Sequence, residues 1–258
     1  MFLKRKAITL SAILICVCLI CFISPSVDDT KTASVGVELT PKIILDAGHG
    51  GYDGGAVAQD GTVEKDINLN IALKLSEFLK SSGFDVILTR DSDDSTDNSG
   101  ENKNGFIKKS DLKNRLELMK NNPDAVFVSI HLNKFTTSAA SGSQVFYSKN
   151  TESSKRLGET IQNSIVNLLQ PENKRVNKQS TSSTYLLHNA TIPAVLVECG
   201  FLSNAAELKL LKTEDYQNEM AFCIFCGIKD YFLKGTSKNF LYEKIVCSFS
   251  VMCTKTPC

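Results

Sequence analysis

The chain has 258 residues, 42% of them hydrophobic and 22% charged, with 29 basic and 28 acidic side chains and a formal net charge of +1. That is ordinary for one globular domain with chain enough to bury a core. The near-zero charge excludes nucleic-acid binding by bulk electrostatics.

In chain order, the first feature is a targeting pattern. Lys4-Arg5-Lys6 precede an almost unbroken apolar run, Ala7–Ile23. Residues 1–24 are therefore expected to be a secretory signal peptide or a retained signal-anchor. The run is at the short end of a bilayer span, about 17 residues. No Ala-x-Ala site follows closely, which favours the retained anchor, and basic residues before the run put the bulk of the chain outside. Cys16, Cys18 and Cys21 read as apolar filler. Residues 25–40, polar and containing Pro25, read as a linker.

The domain expected over 41–234 alternates strands and helices. A strand Lys42–Asp46 leads through a glycine-rich loop into a helix faced by Ile67, Ile71, Leu75, Phe78 and Leu79, which Gly83 ends. A strand Asp85–Leu88 follows, then a long polar loop over 91–110. The pattern next predicts a helix Asp111–Asn121 stopped before Pro123, a strand over 125–130, a short strand Gln144–Tyr147 and a helix over 152–169. A polar loop over 171–183 and a strand over 194–198 come after. Asn204-Ala-Ala-Glu207 has capping-box spacing and opens a short helix, and a last helix ends near Leu233. This order predicts a single three-layer α/β domain with a mostly parallel twisted sheet flanked by helices.

Nine cysteines make no disulfide framework and no paired zinc motif. Cys223 and Cys226 fall in a helical pattern and read as core rather than as a redox or metal pair. Residues 235–258, with Cys247, Cys253 and Cys258, fit no element and are set apart as a tail of unassigned role.

Three short apolar runs carry the functional signal: Lys42–Asp46 before Ala-Gly-His49-Gly-Gly51, Ala125–Ile130 before His131, and Ala194–Val197 before Glu198. Continuous β-branched runs are expected for parallel strands buried on both faces, and ligand sites lie at the carboxyl ends of such strands. Two of the chain's three histidines and a glutamate thus converge on one rim. Glu64, just before the first helix, can complete a set of two histidines and one carboxylate with an open fourth position, which suits catalytic zinc. Glu198 is then a candidate general base. Taken singly, each residue also has a structural reading, as a loop histidine, a helix-start acid or a buried ion-pair partner.

The segments Ile44–Gly51, Val63–Asn68, Leu88–Asp91, Asp111–Arg115, Val128–Asn133 and Val197–Asn204 together resemble the zinc-dependent N-acetylmuramoyl-L-alanine amidases of bacterial cell-wall metabolism. Gly142–Tyr147 and Ile192–Glu198, with no added wall-binding repeats, look most like the sporulation type that acts in spore-cortex muramic-δ-lactam formation. The resemblance implies one Zn2+ on His49, Glu64 and His131, and Glu198 as the catalytic glutamate. It also implies a peptidoglycan substrate cut between N-acetylmuramic acid and L-alanine, and an accessory lipoprotein partner. With the N-terminal segment, it implies export to the outer face of the membrane or the wall around a forespore.

Candidate substrate contacts are His188, which stands where spore-type members carry lysine, together with Arg115 and Asn133. Arg115, like Thr89-Arg90-Asp91, reads more as scaffold than as chemistry, and pairing of Arg115 with a carboxylate near the site is the alternative. Cys199, next to Glu198, is not expected to be a nucleophile. Two other readings are a zinc peptidase cutting within the stem peptide and a wall-binding protein without catalysis. The intact Glu198 argues against the last.

Overall fold

The computed structural model describes residues 40–96 and 106–235, with backbone only at 106–108 and 235. The predicted targeting segment 1–24, nearly all of the linker, the centre of the polar loop and the tail beyond 235 lie outside the described residues, together with their six cysteines.

Among the described residues six strands form one sheet: β1 (Lys42–Ala47), β2 (Asp85–Leu88), β3 (Ala125–Asn133), β4 (Gln144–Tyr147), β5 (Lys178–Gln179) and β6 (Ala194–Phe201). Their order is β2-β1-β3-β6-β4-β5. The β1–β2, β1–β3 and β3–β6 pairs are parallel, and β4 runs antiparallel to β6. From β1 the chain goes to β2 on one side and then crosses to β3 on the other. The crevice at the carboxyl ends of β1 and β3 is therefore the switch point where such sheets bind ligands.

Among the described residues six helices accompany the sheet: α1 (Glu64–Ser81), α2 (Phe106–Lys120), α3 (Glu152–Leu168), α4 (Tyr185–Asn189), α5 (Ala205–Leu211) and α6 (Glu214–Gly235). Side chains alternate across each strand. Ile43, Leu45, Val126, Val128, Ile130, Val195 and Val197 form one core with α1, α3 and α6. Ile44, Phe127 and Ala194 form a second with Leu116 and Met119 of α2 and Leu186 and Leu187 of α4. These two cores make the three layers and explain why the central strands carry no polar alternation. Gly227 lets α6 lie on α3, since a Cβ there would come within 2.5 Å of Ile161 Cα.

The helix signals act largely as expected. Gly83, at φ 85°, closes α1 with Gly83 N–H donating to Lys80 O and Phe84 N–H to Leu79 O, a Schellman pair. Thr151 Oγ1 accepts from Ser154 N–H at the start of α3. Asn204 Oδ1 accepts from Ala206 and Glu207 at the start of α5. The other half of that capping box does not form as drawn: Glu207 instead accepts from Gly142 N–H and Phe201 N–H, tying α5 to the sheet.

Several boundaries differ from the sequence reading. Helix α2 begins at Phe106, inside the predicted loop 91–110; after Gly105 nothing in Phe-Ile-Lys-Lys-Ser stops a helix, and propagating one costs little once nucleated. β3 and β6 run on to Asn133 and Phe201, so His131 and Glu198 lie within strands rather than at their ends. Pairing slips between His131 and Asn133 and then resumes as Asn133 opposite Phe201. Lys178–Gln179, within the predicted loop, pair with β4 at the sheet edge, where both are exposed and so leave no apolar signature.

Candidate metal centre

Past the end of β1 the backbone turns sharply. His49 has φ 64°, Gly50 132° and Gly51 53°. The left-handed region costs an L-residue about 1–2 kcal/mol, so His49 needs its surroundings to hold it. Arg115 of α2 does so from one side. It is 2% exposed, and its five N–H groups are all engaged: Nε and Nη2 on Asp111, Nη1 on Asp46 and the Ala47 carbonyl, and Nη2 on the His49 carbonyl at 2.8 Å. Asp53 Oδ2 lies 2.9 Å from His49 Nδ1 and turns Nε2 the other way.

Nε2 faces Glu64, the first residue of α1. Glu64 Oε1 has His49 Nε2 at 3.2 Å and His131 Nδ1 at 3.0 Å. The Leu132 N–H at 3.1 Å and Asn68 Nδ2 at 3.3 Å point at the same oxygen. Glu64 Oε2 accepts from Ala56 N–H at 2.8 Å. One carboxylate oxygen has lone pairs for about two donors, so four converging nitrogens exceed its capacity. If both imidazole nitrogens give up their protons and turn lone pairs to a shared cation, the donors on Oε1 fall from four to two. One ligand atom from each of His49, Glu64 and His131 lies within 4.8 Å of the others. Two imidazoles and a carboxylate at this spacing fit zinc. The glycines around them are spatially required. A Cβ on Gly48 would lie 2.3 Å from the His131 ring, and one on Gly55 would lie 2.6 Å from both Glu64 Oε2 and His49 Cδ2.

Electrostatics reinforce this clustering. Burial pushes His49 down, but hydrogen bonds and charge from Asp53 and Glu64 more than reverse it, lifting the imidazole to about 9. Burial pushes Glu64 up, and His131 and His49 overcome that to hold it well below the usual carboxylate range. Glu198 moves the other way. Burial pushes its carboxyl up, Glu64 adds to this, His131 and His49 oppose it, and the result is about 7. Its Oε2 is buried among the described residues without a hydrogen-bond partner, a costly state for a carboxylate oxygen. Cys199 beside it is fully buried, which drives the thiol far above its ordinary range, so it offers no thiolate.

Asp46, Ser129, His131 and Glu198 continue the sheet face begun by Ile44, Phe127 and Leu196. A cavity of about 250 Å3 opens beside His49, Asp53 and His131 and runs between α2 and α4, where Leu112, Tyr185 and Leu186 line it. Of the three predicted substrate contacts, none is placed there as a free polar group. Arg115 reaches the cavity wall with every donor already engaged, which makes it the scaffold of the His49 turn. His188 lies at the end of α4 and is not among the lining residues, whereas its neighbours 183–187 are. Asn133 ends β3, its carbonyl accepting from Leu202 N–H at 2.8 Å. Sequence reasoning missed Asp53 and Asn68. Both lie four residues beyond a candidate ligand, Asp53 after His49 and Asn68 after Glu64; the second spacing on a helix is a readable same-face signal.

The family model for N-acetylmuramoyl-L-alanine amidase matches residues 43–230. The germination-specific N-acetylmuramoyl-L-alanine amidase of Bacillus subtilis (strain 168) is 38% identical over 197 residues, covering 75% of this chain and 81% of that protein. The CwlD amidase from Clostridioides difficile, solved in complex with the GerS lipoprotein, is 47% identical with a TM-score of 0.72, over 75% of this chain and 98% of that one. The catalytic domain of CwlV, an N-acetylmuramoyl-L-alanine amidase from Bacillus (Paenibacillus) polymyxa var. colistinus, is 32% identical with a TM-score of 0.61, over 75% and 98%.

Proposed function

The chain belongs to the N-acetylmuramoyl-L-alanine amidase family, and on that premise we propose that it is a zinc amidase of the sporulating cell. It hydrolyses the amide between N-acetylmuramic acid and L-alanine of the peptidoglycan stem peptide, in the maturing spore cortex. The observation that carries the metal reading is the convergence of His49 Nε2, Glu64 Oε1 and His131 Nδ1.

His49, Glu64 and His131 would hold zinc, which when bound would supply a Lewis acid for the amide carbonyl and for water. The chain's own residues do the rest. Asp53 fixes the His49 ring through Nδ1 so that Nε2 remains the ligand nitrogen, as second-shell carboxylates do. Glu198, with its unpartnered Oε2 and a carboxyl poised near 7, accepts a proton from the attacking water. It then returns that proton to the leaving amine nitrogen as the C–N bond breaks, so the carbonyl carbon gains OH and L-alanine leaves as a free amine. A base of this kind contributes about 10²–10⁴-fold.

The chain acts outside the cell, in or near the wall. The basic-then-apolar N-terminal segment supports export with the domain on the outer face of the membrane. The likeness to an amidase solved with a lipoprotein supports an accessory lipoprotein as partner. Incubating the purified full chain with peptidoglycan, with zinc and then with chelator, tests the reaction by mass spectrometry. Stem peptides beginning at L-alanine beside peptide-free glycan, seen only with zinc, are expected. Cleavage inside the stem would make it a peptidase, and no release by a folded, zinc-loaded chain, even with the lipoprotein added, would leave a wall-binding role.

A further inference from the structure

Arg90 follows β2, outside the ligand set, and is 6% exposed. Its guanidinium spans four backbone carbonyls. Nε donates to Ala47 O at 2.9 Å, Nη2 to Gly48 O at 3.1 Å and to Lys65 O at 2.8 Å, and Nη1 to Ser92 O at 3.0 Å. Ala47 and Gly48 are the two residues before His49, and Lys65 is the residue after Glu64. One planar group therefore grips the backbone flanking two ligands that belong to different elements. The loop is shaped around it: a Cβ on Gly50 would lie 2.7 Å from Arg90 Cδ and 2.8 Å from Nε. Arg115 holds the other side of the same turn through Ala47 O and His49 O, and its remaining donors go to Asp46 and Asp111 rather than to α1.

We propose that Arg90 is a positioning residue for the metal centre: by bridging Ala47, Gly48 and Lys65 it sets the separation of His49 from Glu64. This rests on the zinc reading above. The fork geometry is essential to it, because a guanidinium presents planar donors in several directions at once whereas an ammonium is a compact point charge. The Arg90→Lys chain keeps the charge and loses the span; Arg90→Ala loses both.

The test measures zinc affinity of the full chain by chelator competition, the unfolding temperature without metal and with saturating zinc, and the visible spectrum after cobalt substitution. Wild type is the reference: if it takes up no zinc, the metal reading itself fails. If wild type binds, both variants are expected to fold and to bind zinc about 10–100-fold more weakly, the usual effect of losing outer-shell support. Their cobalt spectra should also differ from wild type, reporting altered ligand geometry. Wild-type affinity with a lowered metal-free unfolding temperature would make Arg90 core scaffold and overturn the proposal. Full recovery of affinity by Arg90→Lys would overturn it too, since charge alone would then suffice. So would variants that stay unfolded at saturating zinc.

Discussion

His131 and Glu198 are register partners across β3 and β6. An imidazole with Glu64 Oε1 beside its Nδ1 and a carboxyl with no partner on Oε2 therefore share one sheet face. On the proposed mechanism the pairing divides the labour between neighbouring strands: β3 carries a candidate ligand, His131, and β6 the candidate proton carrier, Glu198. Glu198→Gln is expected to keep zinc content at the wild-type level while turnover falls by about 10²–10⁴-fold. Elemental analysis and product release, measured on the same preparation, check both halves. Undiminished turnover would remove Glu198 from the mechanism.

The raised Glu198 carboxyl has a stability consequence in the metal-free protein. Its folded value, about 7, exceeds the unfolded value near 4.3. Between those two pH values the unfolded chain loses the proton first, so stability declines as pH rises through the window and levels off above it. In chelator, wild type should lose stability relative to Glu198→Gln from about pH 4.5 to 7. Urea midpoints across that range read the difference; parallel pH curves would show that Glu198 does not titrate there.

Asp46 has the opposite sign. Burial pushes its carboxyl up, but the Arg115 guanidinium and the hydroxyls of Ser129 and Thr89 hold it below the usual range. Its contribution is therefore present above the ordinary aspartate value, about 3.9, and is lost as pH falls through the lower folded value. Asp46→Asn leaves Arg115 with Asp111 as its one remaining carboxylate among the described residues and should cost about 3 kcal/mol at neutral pH. The gap from wild type should close in acid. Denaturant melts at neutral and acid pH make the comparison.

Two glycines separate local strain from damage to the metal cluster. Gly55, at φ 70°, has no room for a methyl because of Glu64 and His49, whereas Gly61, at φ 88°, meets nothing within 4 Å. Both alanine variants carry the left-handed penalty of about 1–2 kcal/mol. Only Gly55→Ala should also lose zinc and turnover; Gly61→Ala should lower the unfolding temperature and leave specific activity intact. Equal loss of zinc in both would mean that the loop acts through backbone strain alone.

The sequence by itself determined the α/β class and the three buried central strands, and it named the three residues, His49, Glu64 and His131, that the fold brings together. Continuous β-branched runs, cap residues and a histidine between glycines are local signals that survive without knowledge of neighbours. It also carried the acidic and basic residues of the Arg115 network, but not their use. Whether a guanidinium touches substrate or carbonyl oxygens depends on what packs within 3 Å of it, and those partners are distant in the chain: Arg115 from Asp46, Arg90 from Lys65. The tertiary structure alone decided that Arg115 is spent on the His49 turn and that His188 lies outside the cavity lining. It also decided that Glu198 keeps an unpartnered oxygen within a strand, not at its end. Hydrophobic period reports which face is buried, whereas hydrogen-bond assignment is a property of the assembled neighbourhood, and that is where the chemistry of this site is set.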